Sequence, residues 1–412
     1  MKTINISIAL VLSGLLFSCG GNTTEKKVEK DSIVKDSVSV PKDKDTVASV
    51  QNYDKKFENT ARFISGIAQD KSSDLAALDT MKSWQSYARS SDSSWKMLEV
   101  NRFSKMRDWA KTELAEANSA KRNLFYPFSG PDVLNAIILF PNADTYTLLA
   151  MEPIGELPDL SKLNVAARNS YLESVEQSLN DLFKKSYFIT KNMIGHLQKS
   201  KVNGTVPLMC VFLKRTGNTI TDIQNVYVDS SGKELPRPYR NVGIDGAGNV
   251  NIKDDSARKV PGTPGVKISF LTSEGKPKTL YYYQVNLEDR LLKKNQGFIT
   301  YLNQMKSVNS YLKSASYLLH YNEFVVARNL VFDKSECILQ DDSGIAYDFF
   351  DKDKWNIQLY GSYAKPVNDF PHIKEPNLAK AYKTDSTVKP LPFTLGYHWG
   401  TKEVNMLRAT RK

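Results

Sequence analysis

This sequence predicts an α+β fold: an N-terminal helical segment followed by two mixed helix/sheet lobes. Three observations carry that expectation. Apolar residues recur at spacings of three and four across residues 53–119, the period of a one-sided helix. From Asn123 onward, helix-period stripes alternate with short runs rich in Val, Ile, Tyr and Phe, bounded by Gly, Pro, Asn and Asp clusters. The 412 residues, 41% hydrophobic and 10% aromatic, supply enough apolar material for two or three compact units of ~100–200 residues each. Three Cys exclude a disulfide scaffold, and 21 Gly with 17 Pro exclude collagen-like or low-complexity filler.

The chain opens on an export signal. Met1-Lys2 is a short positive start, and residues 4–16 are an apolar run without charge. A bilayer core of ~30 Å needs about 20 apolar residues, so the run fits a removable signal peptide over 1–18. It ends in Leu16-Phe17-Ser18-Cys19. Here the chain resembles the bacterial lipoproteins, whose lipobox sets Leu three residues before Cys with small residues between; bulky Phe17 departs from that pattern. The resemblance covers only this start of the chain. It implies that Cys19 carries a diacylglycerol and becomes the mature N-terminus, with a fatty acyl chain such as palmitate on its amine. It also implies a bacterial cell envelope, with the protein held in the outer membrane at its periplasmic or surface face. Each buried methylene contributes about 0.8 kcal/mol, and two or more chains anchor where one does not.

Residues 19–50 read as a disordered tether. From 20 to 50 there is no aromatic residue, and six Lys balance six acids, so no core forms and a folded body stands off the membrane. The whole chain carries a formal charge of +11. Its Lys and Arg are dispersed, with no basic block interleaved with stacking aromatics, which argues against nucleic acid. Anionic lipid, polysaccharide or an envelope protein remain as partners.

In the helical segment, 51–122, Phe57, Ala61, Ile64 and Ala68 form one stripe and Phe103, Met106, Ala110, Leu114 and Ala117 another. Ser90-Ser91-Asp92-Ser93-Ser94 reads as a break or a helix start, because Ser and Asp side chains cap free amides. Trp84, Trp95 and Trp109 read as core, not as a ligand platform. The first lobe, 123–260, begins with Phe125-Tyr126-Pro127-Phe128-Ser129-Gly130-Pro131-Asp132 and the apolar run 133–140. A strand follows at 146–151, then a long helical region with stripes at Tyr171, Val175, Leu179 and at Met193, Ile194, Leu197. Residues 206–213 are apolar on both alternating faces, which predicts a strand in the middle of a sheet, with 220–228 as its antiparallel neighbour. Residues 229–264, rich in Gly and Pro, read as either a long irregular excursion or a junction between the halves.

In the second lobe, 261–412, runs at 266–271 and 279–285 flank Ser273-Glu274-Gly275-Lys276 as a hairpin. Phe298, Leu302, Met305, Asn309, Leu312 and Leu319 predict a helix face, and 323–330 a further helix. Strands are expected at 336–339, 345–350, 357–360 and 393–397. Similar phrases around Ser178-Leu179-Asn180 and Ser307-Val308-Asn309 each precede a run holding one Cys, Cys210 or Cys337. A diverged duplication and chance reuse of common helix residues account for them equally.

Candidate chemistry is sparse. The four His (His196, His320, His372 and His398) stand at no helix-facing spacing and no Cys pairs with another at a ligand spacing, so neither a metal nor a cofactor is expected. Cys210 and Cys337 read as small buried hydrophobes, although an exported chain also permits a disulfide between them. Ser129 is a candidate nucleophile with His320 or His398 as base, but its context is not the Gly-x-Ser-x-Gly elbow. The plainer reading makes Ser129, Pro131 and Asp132 a helix cap. Asp341-Asp342 with Glu152 is a candidate carboxylate pair for sugar hydrolysis, set against a hairpin turn at Asp341-Asp342-Ser343-Gly344. Asp245-Gly246-Ala247-Gly248-Asn249 with Asn251 has oxygen ligands in calcium-loop order but lacks the terminal Glu, and a Gly-rich turn is preferred. The run Leu280-Tyr281-Tyr282-Tyr283-Gln284 puts Tyr on both faces of a strand, where a glycan would stack.

The phrases at 125–132 and Leu391-Pro392-Phe393 resemble motifs of an uncharacterised bacterial lipoprotein family, a resemblance that implies no activity. The expected protein is therefore a lipid-anchored envelope protein that binds a partner or polymer without catalysis. The alternative is an envelope hydrolase using Ser129 or a carboxylate pair.

Overall fold

Along the first strand, β1 (Asn123–Pro127), Leu124 and Tyr126 pack to one face and Phe125 to the other, the period-2 alternation of a strand covered on both sides. The computed structural model describes residues 53–185, 202–237, 243–244, 250–251, 262–398, 400–401 and 403–412. The expected signal peptide and tether, the stripe at 193–197, His196 and the calcium-like loop at 245–249 lie outside them.

Nine further strands join β1 in one sheet: β2 (Thr145–Ala150), β3 (Thr219–Val228), β4 (Glu234–Pro236), β5 (Thr263–Leu271), β6 (Pro277–Gln284), β7 (Val308–Leu312), β8 (Ser335–Gln340), β9 (Trp355–Gly361) and β10 (Asn405–Arg411). Their order is β9-β10-β8-β7-β1-β2-β6-β5-β3-β4. The central five, β8-β7-β1-β2-β6, are parallel, and the outer strands are antiparallel. Counted along the chain, the parallel strands stand 3-2-1-4-5, the doubly wound arrangement, with its switch point between β1 and β7. A second, two-stranded sheet pairs Gly243–Ile244 with Val250–Asn251.

Helices cover both faces, as parallel strands require. On one side lie α1 (Lys55–Ile64), α2 (Lys82–Leu98), α3 (Ser104–Glu113), α4 (Ala115–Ser119), α5 (Val133–Leu139), α6 (Val165–Lys185) and α7 (Thr205–Arg215), over a core that includes Trp84, Trp95, Trp109, Tyr126 and Phe212. On the other side lie α8 (Asp289–Leu292), α9 (Gln296–Asn303), α10 (Val325–Lys334) and α11 (Pro376–Thr384), over Phe125, Val308, Ile338 and Leu407. The fold is thus α+β, and the helical segment 51–122 becomes a cover for one sheet face. Both expected lobes feed this one sheet, β1–β4 from 123–260 and β5–β10 from 261–412, and Asn52–Lys412 form one compact unit. Among the described residues no helix is long and apolar enough to cross a membrane.

Several elements differ from expectation, each for a local reason. The run 206–213 is helix α7, with Thr205–Lys214 all buried. A run buried on every side has no period to read, and Pro207 sits in the first turn, where its missing N–H costs nothing. Its expected strand partner, β3, pairs with β5 and β4 instead. Ser90–Ser94 does not break α2: Ser91 accepts from Arg215 at 2.8 Å and Asp92 pairs with the same guanidinium, so tertiary partners override a weak propensity. The helix face drawn through 298–319 stops at Asn303, and 308–312 is strand β7, buried at every position. Residues 345–350 and 393–397 are not strands but contain short 3-10 turns, Tyr347–Phe349 and Gly396–His398. The edge pair of β10 with β9 supplies strand content that no expectation placed at 405–411.

Candidate functional site

The segment leaving β1 holds Phe128 at φ 61° and Gly130 at φ 55°, and the one leaving β7 holds Ser316 at 55° and Tyr317 at 54°. Among the described residues only one other non-glycine, Lys121, has positive φ. Such strained backbone gathers where the surrounding structure demands it. Here it marks the carboxyl ends of the strands on either side of the switch point, where open α/β sheets bind ligands.

Each strand end delivers a polar group. Asp132, beyond β1, is the N-cap of α5 and accepts the amide of Asn135 at 3.2 Å. Its Oδ2 also takes the Tyr126 hydroxyl at 3.0 Å and the Lys313 ammonium at 3.1 Å, Lys313 being the first residue past β7. Asp341 and Asp342 follow β8. Asp341 Oδ1 takes the Ser343 amide at 3.0 Å and hydroxyl at 2.5 Å, while its buried Oδ2 has no hydrogen-bond partner among the described residues. Burial first, and then the neighbouring charge of Asp342, push the Asp341 carboxyl up to about 6 against the pull of Ser343 and Lys313.

Asp342 is the hub. Its Oδ2 accepts from the Tyr317 hydroxyl at 2.6 Å and lies 3.2 Å from His398 Nε2, and Asn405 donates to Oδ1 at 3.0 Å while accepting the Asp342 amide at 2.8 Å. Burial favours neutral His398, but the hydrogen bond to Asp342 and the charges of Asp342, Asp341 and Glu403 outweigh it, and the imidazole is raised above its usual value. Gly396-Tyr397-His398 lies over the pair of aspartates. Tyr397 stacks on Tyr317 at 5.8 Å and its hydroxyl takes the Ser316 amide at 2.8 Å.

The second histidine joins from below. His320 Nε2 is 3.1 Å from the Asp342 carbonyl, which only accepts, so Nε2 carries the hydrogen. Its Nδ1 is 3.2 Å from Glu375 Oε1, and Glu375 Oε2 takes the Tyr347 amide at 3.2 Å. While Glu375 is protonated, its proton lies between Oε1 and Nδ1. Burial lowers His320. Burial, and then the charges of Asp348 and Asp342, raise Glu375 to about 7. We read the pair below about 7 as neutral imidazole and carboxylic acid, not as an ion pair, since both shifts oppose charge separation. Glu375 shares a cavity of about 10 Å³ with Asp341, Asp342 and Asn405, room for about one water.

The expected residues fall out as follows. His320, His398, Asp341 and Asp342 converge. Ser129 does not join them: its hydroxyl donates to the carbonyls of Gly130 at 2.8 Å and Leu149 at 3.5 Å, and Asp132, not Ser129, caps the helix. Glu152 lies beyond β2 beneath the Tyr282 hydroxyl. Three strand spacings, about 14 Å, separate β2 from β8, more than the ~9.5 Å across which two carboxyls share one glycosidic bond. Asp341–Gly344 does turn, with the Gly344 amide on the Asp341 carbonyl at 3.1 Å, but no hairpin follows. Instead Gln340 clasps Ile345 through both backbone groups. Tyr282 and Tyr283 are buried, and Tyr281 stacks on Tyr283 at 6.0 Å. Cys210 and Cys337 are buried and free, and no group of metal-ligating side chains stands among the described residues. Lys313, Tyr317 and Glu375 were missed. Nothing local marks Lys374-Glu375-Pro376, and the carboxyl is buried only by how the start of α11 packs.

No family model matches the chain, and neither a curated protein nor a solved structure matches it.

Proposed function

We propose that this is a lipid-anchored protein of the bacterial cell envelope, held through Cys19, whose body is a carboxyl-based hydrolase. The observation that carries the reading is the convergence of Asp341, Asp342, His398, His320 and Glu375, from four separate segments, at the carboxyl edge of the parallel strands. That is the edge where doubly wound sheets hold their ligands. Asp341 and Glu375 line one small cavity, and burial raises both, to about 6 and about 7, into the range where a carboxyl exchanges protons near neutral pH.

In this reading the Gly396-Tyr397-His398 cover lifts to admit substrate, because the closed cavity holds only about one water. Asp341, through the oxygen that Gly396 covers, then takes that water's proton while the water's oxygen forms a bond to the substrate's electrophilic centre. The bond to the leaving group breaks, and the proton that Glu375 holds against His320 Nδ1 passes to that group as the pair opens. His320 holds the Glu375 carboxyl, and Asp342, locked by Tyr317, His398 and Asn405, keeps negative charge beside Asp341. Base and acid of this kind give kcat/KM a maximum between about 6 and about 7 in pH.

The full chain tested on a panel of 4-nitrophenyl esters, phosphates and glycosides is expected to turn over one class. Asp341→Asn should cost about 100-fold or more, whereas Ser129→Ala should leave the rate unchanged. A non-enzymatic binding module is the second reading, favoured by the cover that Gly396-Tyr397-His398 forms over the aspartates. It prevails if no class is turned over faster by the wild type than by Asp341→Asn.

A further inference from the structure

Glu375 also lines a second, open pocket, of about 450 Å³, within the size range of small-molecule sites. The pocket is built by the single segment 364–379. Val367, Phe370 and Ile373 give it apolar walls, and Lys365 and Lys374 are exposed at its edge. Lys365 donates to Asn368 at 3.3 Å. Glu375 is the one acid on the lining, and its oxygens are already engaged by His320 and the Tyr347 amide. The lining thus carries two exposed cations against one engaged carboxyl, with Asp369 on the same segment but off the lining, and its walls are greasy, a combination that suits an anion with an apolar body.

We propose that this pocket binds a small amphipathic carboxylate, its apolar body against Val367, Phe370 and Ile373, its anion paired with Lys365 and Lys374. Assigning this ligand as the substrate class rests on the acid–base reading above; its binding does not. Glu375 borders both the pocket and the cavity beside Asp341, so a ligand seated here lies against the wall that the two share.

Fluorine NMR of 4-(trifluoromethyl)benzoate with the full chain in detergent micelles, micelles alone as blank, tests the pocket directly. Saturable binding is expected, with the neutral 4-(trifluoromethyl)benzamide binding more weakly. The Lys365→Ala/Lys374→Ala double variant should bind about fivefold more weakly, the scale of two exposed charge contacts. Val367→Trp, which fills the pocket, should abolish binding. Asp341→Asn should bind like the wild type, so loss of turnover and loss of this site are separate results. Equal affinity for benzoate and benzamide, or undiminished binding by Val367→Trp, overturns the proposal.

Discussion

A Cβ on Gly396 would lie 2.0 Å from Asp341 Oδ2, and the residue's φ is +68°; both the approach of the backbone and its hand require glycine. Gly396→Ala is expected to lose about 2 kcal/mol or more in urea unfolding, whereas Gly400→Ala, with open space around it, should be neutral. The protonation of the site also sets a pH slope. Glu375 keeps its proton up to about 7 in the fold, against 4.5 ordinarily. Between those values the native state holds the extra proton, and stability falls as pH rises. Asp341, raised from 3.8 to about 6, acts in the same direction. So does His398, whose contribution is present below its ordinary 6.5 and lost as pH rises through its raised value. His320, lowered, opposes them, because its contribution is lost as pH falls. The melting temperature should therefore decline from about pH 5 to about pH 8. Glu375→Gln, whose amide still donates to His320 Nδ1, should flatten that decline and be the more stable protein at the alkaline end by up to about 3 kcal/mol. Asp341, Asp342, His320 and His398 were visible in the sequence as residue types able to do chemistry. Glu375 was not, because burial, which makes it an acid, has no local signature.

At the level of elements, α1, α7 and β3 meet at one buried ion pair. Lys214 on α7 pairs with Glu58 on α1 and donates to the Asn218 carbonyl at 2.8 Å, while Glu58 also takes the Ile220 amide of β3 at 2.9 Å. Lys214→Met removes the buried cation and leaves Glu58 only the more exposed Arg62, 3.8 Å away; it should cost about 3 kcal/mol in urea unfolding. The Glu58→Gln/Lys214→Met double variant should recover much of the loss, since no unpaired charge remains. Helix α7 also shows why an element can be read wrongly. Its residues 206–213 are apolar without interruption, so a central strand and a buried helix have the same pattern, and only the neighbours decide. The hairpin of β5 and β6 was legible because Glu274-Gly275 supplies a turn between alternating runs, with Gly275 at φ +77°.

For the whole molecule, the proposed anchor makes two predictions. Metabolic labelling with a fatty acid should mark the wild type and fail to mark Cys19→Ala, because the acylated thiol is the only proposed attachment. Limited proteolysis should cut within 20–50 and leave a resistant body, since an unpacked tether is nicked first; a resistant tether would refute that part of the reading. Within the folded unit, periods of 3.6 and 2 sufficed to set the α+β class and to place β2, β3, β5, β6, β8 and β9 with helices such as α1, α3, α6 and α9, because those periods are properties of neighbouring residues alone; β1, β4, β7, β10 and α7 escaped them. The order of the strands is different. Nothing local places β7 beside β1, 181 residues separating Asp132 from Lys313, or brings Glu375 to His320 and His398 to Asp342. Those pairings follow from which sheet faces and edges must be covered once the chain has closed, an energy shared by the entire core and carried by no single segment.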